Sequence, residues 1–123
     1  MTRRDIVTAI PTSFRADGSL DVEGTRSIFR YVAKSGNEGA FVLGTTGEFP
    51  AIDDAEFETI VGIALEELSA AMRVIVHVGQ PSAFEAVRRV KLARAQRLTR
   101  RSRSQLRRQP QGAARHRPRD CRW

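Results

Sequence analysis

Three short apolar runs punctuate the chain: Ile6-Val7-Thr8-Ala9-Ile10, Ala40-Phe41-Val42-Leu43 and Val74-Ile75-Val76-His77-Val78. None alternates polar with apolar residues, so each predicts a strand buried on both faces, as in a parallel sheet. They begin at residues 6, 40 and 74, a spacing of 34 both times. That interval suits a strand, a crossover helix and the return to a parallel strand. The segments between carry helical periodicity. Phe57, Ile60, Val61, Ala64, Leu65 and Leu68 share one face of a helix, and Asp53 with Glu56 makes a capping-box start for it. A first helix starts near Asp21, uses Ile28, Phe29, Val32 and Ala33, and stops at Gly36. A third opens with Ser82 and Glu85 and runs through Ala86, Val90 and Ala93. The turn Arg15-Ala16-Asp17-Gly18 joins the first strand to the first helix. The order βαβαβα defines an α/β fold.

The same interval asks for a fourth strand near residues 100–110, where the sequence runs from Arg100-Arg101-Ser102 to Gln109-Pro110 and offers nothing to bury. Charge breaks at the same place. Residues 1–96 hold nine Arg and two Lys against thirteen acids, a net −2, whereas residues 97–123 hold ten Arg against Asp120 alone, a net +9. The whole excess of +7 therefore sits in the last part of the chain. Only six of those 27 residues are hydrophobic, against 44 of the first 96. We divide the chain accordingly, near Ala95, into an α/β segment (1–96) and an Arg-rich tail (97–123). The tail is expected to be disordered, with too little apolar surface to offset its ordering entropy.

Two readings of the tail differ in what they imply. Arg, Ala, Pro, Gly and Gln without Lys, Val, Ile or Phe is the composition of GC-rich codons read out of register, and the change falls inside a helix with no linker. On this reading the chain is a truncated or frameshifted fragment. The alternative is a non-enzymatic basic protein that binds nucleic acid non-specifically through arginine–phosphate contacts; no RNP, zinc or helix-turn-helix signature accompanies the charge, and Trp123 is the one aromatic in the tail available for base stacking.

A length of 123 residues allows one domain or part of one. No run approaches the roughly 18 apolar residues of a membrane helix, and the five-residue apolar stretch after Asp5 is too short for a secretory leader. The one cysteine, Cys121, rules out an internal disulfide framework. The cytoplasm is the expected compartment, and no membrane partner is expected.

Candidate chemistry gathers after the second strand, in Gly44-Thr45-Thr46-Gly47-Glu48. The C-terminal end of a parallel strand is where α/β folds place their sites. The two glycines let backbone approach a ligand, and the threonines offer hydroxyls and N–H groups to a carboxylate or phosphate oxygen. A glycine-rich turn without a ligand has the same local pattern. With its surroundings, however, the stretch resembles the dihydrodipicolinate synthase / N-acetylneuraminate lyase family. The matching pieces are Thr8 to Phe14, Asp17-Gly18-Ser19-Leu20-Asp21, Gly39 to Glu48, and Val74 to Gly79 with Ser82 following. They span residues 5–95 in the family's order. Gly44 to Glu48 leans toward the synthase branch and His77-Val78-Gly79 toward the lyase branch, so neither branch is chosen.

The resemblance implies the first three units of a (β/α)8 TIM barrel that condenses or cleaves pyruvate or a related 2-oxo acid through a Schiff base on a lysine. It implies no metal or organic cofactor, and homo-oligomers are usual in the family. By position, Thr46 matches the residue that holds the keto-acid carboxylate through its backbone N–H, and Thr45 matches a proton-relaying hydroxyl. Gly44 and Gly47 shape the loop, and Glu48 is expected to be structural. The family's imine lysine and its tyrosine lie on later strands, beyond the part that this chain resembles. Lys34 and Lys91, the two lysines present, are expected to be solvated helix residues. Tyr31 is expected to pack and His77 to be a buried, hydrogen-bonded structural residue within the third strand. His116 lies in the tail, and Asp53 and Asp54 already have a role at a helix start. The chain alone is therefore expected to lack aldolase activity. Three units also leave sheet edges open, which favours association or insolubility.

Overall fold

The structure of the chain, a computed structural model, describes residues 5–107, with side chains as far as residue 99. Three strands, β1 (Val7–Ala9), β2 (Gly39–Val42) and β3 (Arg73–Val76), form one parallel sheet in the order β1-β2-β3. The register pairs Val7 with Gly39 and Gly39 with Arg73, and continues residue by residue to the strand ends. Three helices connect and follow them: α1 (Val22–Ala33), α2 (Asp54–Glu67) and α3 (Ala83–Arg107). Right-handed crossovers between strands in sequential order put the helices on one face of the sheet. There α2 lies between α1 and α3 and packs on both.

Local chemistry explains where the helices begin. The Asp21 carboxylate accepts the Gly24 N–H at 3.0 Å and caps α1. The expected capping box of α2 is complete: Asp53 accepts the Glu56 N–H at 2.8 Å, and Glu56 accepts the Asp53 N–H at 3.2 Å. At the other end of α1, Lys34 is the C-cap, two residues ahead of the expected stop, and Gly36 supplies the left-handed turn at φ +79°. The Arg15–Gly18 turn closes through the Gly18 N–H to the Arg15 carbonyl at 2.9 Å. The Asp17 carboxylate beside it accepts from the Ser19 hydroxyl and then from the Ser19 N–H, which holds it below the usual carboxylate range.

The core lies between sheet and helices. Phe29 and Val32 of α1, Val42 and Leu43 at the end of β2, and Phe57, Ile60, Val61, Ala64 and Leu68 of α2 are all buried. Ile63 and Thr25 join them without having been singled out in the sequence. Two expectations need correction. Only β2 comes near burial on both faces, with Phe41 alone partly exposed, because β1 and β3 are the edges of the described sheet, and Val7 is 38% exposed. In α3 the inward face is Ala86, Arg89, Leu92, Ala93 and Gln96, which turns Val90 outward.

Polar contacts align the helices. Arg26 of α1 bonds Glu66 at 2.8 Å and Glu67 at 2.6 Å, and Arg30 bonds Glu67 at 3.0 Å. Arg30 first and Arg26 second hold the Glu67 carboxyl below its ordinary range. A depressed carboxyl contributes its stability above the unfolded value and loses it as pH falls through the folded one, so this clasp is present at neutral pH. Between α2 and α3, Arg88 pairs with Asp54, and it also pairs with Glu85 on its own helix. Arg89, 7% exposed, donates to the Ile52 carbonyl at 2.6 Å and lies over the Phe57 ring at 4.9 Å.

The helix α3 does not end at the composition break. Disorder was expected from residue 97, but α3 continues to Arg107. Arg, Gln, Leu and Ala are good helix formers, and neither Gly nor Pro interrupts the run before Pro110. The remainder of the tail, with His116, Cys121 and Trp123, lies outside the described residues. No described helix is long and apolar enough to cross a membrane.

Candidate functional site

The strands' C-terminal ends carry three loops, and contacts between them build one surface. The loop after β2 is rigid for reasons that lie mostly in backbone. Leu43 takes φ +61° and Glu48 φ +55°, two non-glycine residues in the left-handed region, bracketing the segment between them. Such a conformation costs about 1–2 kcal/mol for an ordinary residue, and the full burial of Leu43 offsets it. Between them, Thr45–Gly47 form a turn of 3-10 helix, closed by the Gly47 N–H to the Gly44 carbonyl and the Glu48 N–H to the Thr45 carbonyl, both 3.0 Å. The backbone of Glu48 then starts a second such turn, Phe49–Ala51, consistent with a structural place for that residue.

Both glycines sit where a side chain would be crowded. A Cβ on Gly44 would lie 2.4 Å from Cε1 of Phe41, and one on Gly47 would lie 3.2 Å from the Ile10 carbonyl oxygen. Gly44 and Gly47 are buried while Thr45 and Thr46 are exposed. The Thr45 and Thr46 hydroxyls and N–H groups have no partner among the described residues. The turn thus presents two N–H donors and two hydroxyls from a fixed, buried base.

That base is tied to its neighbours on both sides. The Thr12 hydroxyl, after β1, donates to the Gly47 carbonyl at 2.9 Å in a buried bond. The Ser13 N–H in turn donates to the Thr25 hydroxyl at 3.1 Å, which anchors the β1 loop on α1. On the other side His77 follows β3, and its N–H extends the ladder to the Val42 carbonyl at 3.0 Å. Its ring stands edge-on to Phe41, at 5.9 Å between centroids, and to Phe49, at 4.5 Å. Gly79 leaves room for it, since a Cβ there would lie 2.6 Å from His77 Nε2. His77 therefore sits just past the strand, and its Nδ1 is buried with no hydrogen-bond partner among the described residues. The expected hydrogen-bonded histidine is instead one held by aromatic edges.

The other candidates fall away from this surface. Lys34 caps the C-terminus of α1, which leads into the start of β2, so it lies at the opposite end of the sheet from Thr45 and Thr46. Lys91 is exposed in the middle of α3. Tyr31 does not pack as expected: it is 80% exposed, because α1 turns Thr25, Phe29 and Val32 inward instead. Thr12, quoted in the sequence match without a role, proves to hold the loop. Leucine is among the residues least expected at positive φ, so nothing in the sequence signals Leu43.

A parallel sheet with crossover helices in sequential order, and a polar loop at its strands' C-terminal ends, is the arrangement on which (β/α) barrels are built. The chain belongs to the Dihydrodipicolinate synthetase family, whose model matches residues 2–98. It is 34% identical over 90 residues to 4-hydroxy-tetrahydrodipicolinate synthase 2 of Streptomyces coelicolor, covering 73% of this chain and 29% of that protein. The solved dihydrodipicolinate synthase of Thermotoga maritima superposes with a TM-score of 0.69 at 36% identity, over 76% of this chain and 31% of that one. A structure of CdNal from Clostridium difficile in complex with mannosamine gives a TM-score of 0.69 at 28% identity, over 78% and 33%. The chain thus spans about 30% of the length of the relatives it matches.

Proposed function

We propose that the Gly44–Gly47 loop holds the carboxylate of pyruvate or a similar 2-oxo acid, as one part of a class I aldolase/lyase site. The observation that carries this reading is the pair Thr45 and Thr46, exposed and unpartnered on a turn whose glycines are buried against Phe41 and Ile10. N–H donors aimed at an anion from preset backbone are worth more than neutral hydrogen bonds and need little reordering. In this reading the Thr46 N–H holds the carboxylate, the Thr45 hydroxyl relays protons, and Gly44 and Gly47 give the turn its shape. The chemistry itself requires an amine. Its nitrogen attacks the 2-oxo carbon and water leaves; the resulting iminium accepts the electron pair released when a bond at the adjacent carbon breaks, and the enamine so formed donates that pair when the bond is made. In this reading neither Lys34, the C-cap of α1, nor the exposed Lys91 of α3 is the imine-forming amine, and this chain contributes the carboxylate-holding part of the site.

Titration with pyruvate, followed at backbone amides by NMR, tests the loop. The expected result is saturable shifts led by the Thr45 and Thr46 N–H groups. Thr46→Val, which removes the hydroxyl and keeps the N–H, should retain most of them. Shifts confined to arginine-rich positions, with Thr45 and Thr46 unmoved, would overturn the reading.

A further inference from the structure

The arginines of α3 divide into two sets. Arg88 and Arg89, in its first half, are engaged by Asp54, Glu85, Ile52 and Phe57. From Arg94 onward the helix carries Arg94, Arg97, Arg100, Arg101, Arg103 and Arg107 and no acidic residue. Arg94 and Arg97 are exposed and have no acidic partner among the described residues. The helix runs through all six positions without a break, which sets them along about 20 Å of axis at 1.5 Å per residue.

We propose that residues 94–107 of α3 form a helical arm that binds the phosphodiester backbone of double-stranded nucleic acid without sequence preference. The guanidinium fork matches phosphate oxygens two at a time, which an ammonium cannot do. Duplexes present one phosphate charge per about 1.7 Å, so a charged helix of this length meets several at once. A preset helix also binds at a lower ordering cost than a chain that must be fixed on contact. A lipid surface is the poorer ligand. Beyond Arg97 the helix offers only Leu98 and Leu106 as large apolar residues, whereas a helix lying on a membrane needs a continuous apolar face.

The test is fluorescence anisotropy of the full chain with a labelled RNA duplex and a DNA duplex, each of about twenty base pairs, over a range of salt. Affinity should fall with salt with a log–log slope of about 4–5 in magnitude, for five or six phosphate contacts. The variant Arg97→Gln, Arg100→Gln, Arg101→Gln, Arg103→Gln keeps helix-forming residues. It should weaken binding by about ten-fold or more and cut the slope by about 3–4. The charge-matched variant Arg115→Gln, Arg117→Gln, Arg119→Gln, Arg122→Gln should weaken it by less than about three-fold. Ser102→Pro, which breaks the helix and leaves every charge in place, should also weaken binding several-fold. Equal losses from the two four-arginine variants, or full affinity in Ser102→Pro, would show a general charge effect and overturn the arm. So would a salt-independent affinity, or tighter binding to phosphatidylserine vesicles than to either duplex.

Discussion

Phe57→Ala is expected to lower stability by about 3–5 kcal/mol, the range for emptying a fully buried aromatic position. Phe57 has no exposed surface, sits in the first turn of the helix that packs on both others, and lies under the Arg89 guanidinium. The truncation therefore leaves a cavity and removes the face on which that cation rests. The Arg89 bond to the Ile52 carbonyl, 2.6 Å long and buried, depends on the same placement. Domains are commonly stable by about 5–15 kcal/mol, so the loss takes a large share of the whole. Denaturant midpoints of the parent and variant measure it. A loss under about 1 kcal/mol would mean that α2 and α3 do not close over Phe57 as described.

Gly44→Ala is expected to cost about 1–3 kcal/mol and to abolish the pyruvate-dependent shifts at Thr45 and Thr46. The new methyl would lie 2.4 Å from Cε1 and 2.8 Å from Cδ1 of Phe41. That ring has little room to retreat, since it stands edge-on to His77, which stands edge-on to Phe49 on the far side of the loop. The clash is with one side chain, so Phe41→Leu in the same chain should recover much of the loss, a coupling that a double-mutant cycle reads directly. A single variant as stable as its parent would show that the loop yields freely and is not preset.

Much of this architecture was legible because the physics behind it is local and periodic. Strands at 34-residue intervals, the Asp21 cap and the Asp53–Glu56 box each follow from a few neighbouring residues. The loop Gly44-Thr45-Thr46-Gly47 was visible through its resemblance to one family, and the family model matches residues 2–98. The parts that were not legible depend on contacts distant in sequence. Exposure of β1 and β3 follows from their place at the sheet edges, which strand composition cannot reveal. Tyr31 and Val90 look like packing residues, and only the roll of α1 and α3 on the core turns them out. The role of Thr12 exists through a loop partner 35 residues away, and the sign of φ at Leu43 has no signature in a leucine. Composition alone does not fix where α3 ends, because a run of arginines free of Gly and Pro is as compatible with a helix as with disorder, and α3 extends to Arg107.

The proposed site divides its work: the Gly44–Gly47 loop holds the carboxylate of a 2-oxo acid while the imine-forming amine is neither Lys34 nor Lys91. The most direct measurement is treatment with pyruvate and borohydride, followed by peptide mass spectrometry, since reduction locks any imine on the lysine that formed it. No adduct is expected on Lys34 or Lys91 under conditions in which pyruvate shifts the Thr45 and Thr46 amides. A single saturable adduct on either lysine would contradict it and place a complete catalytic site within these 123 residues.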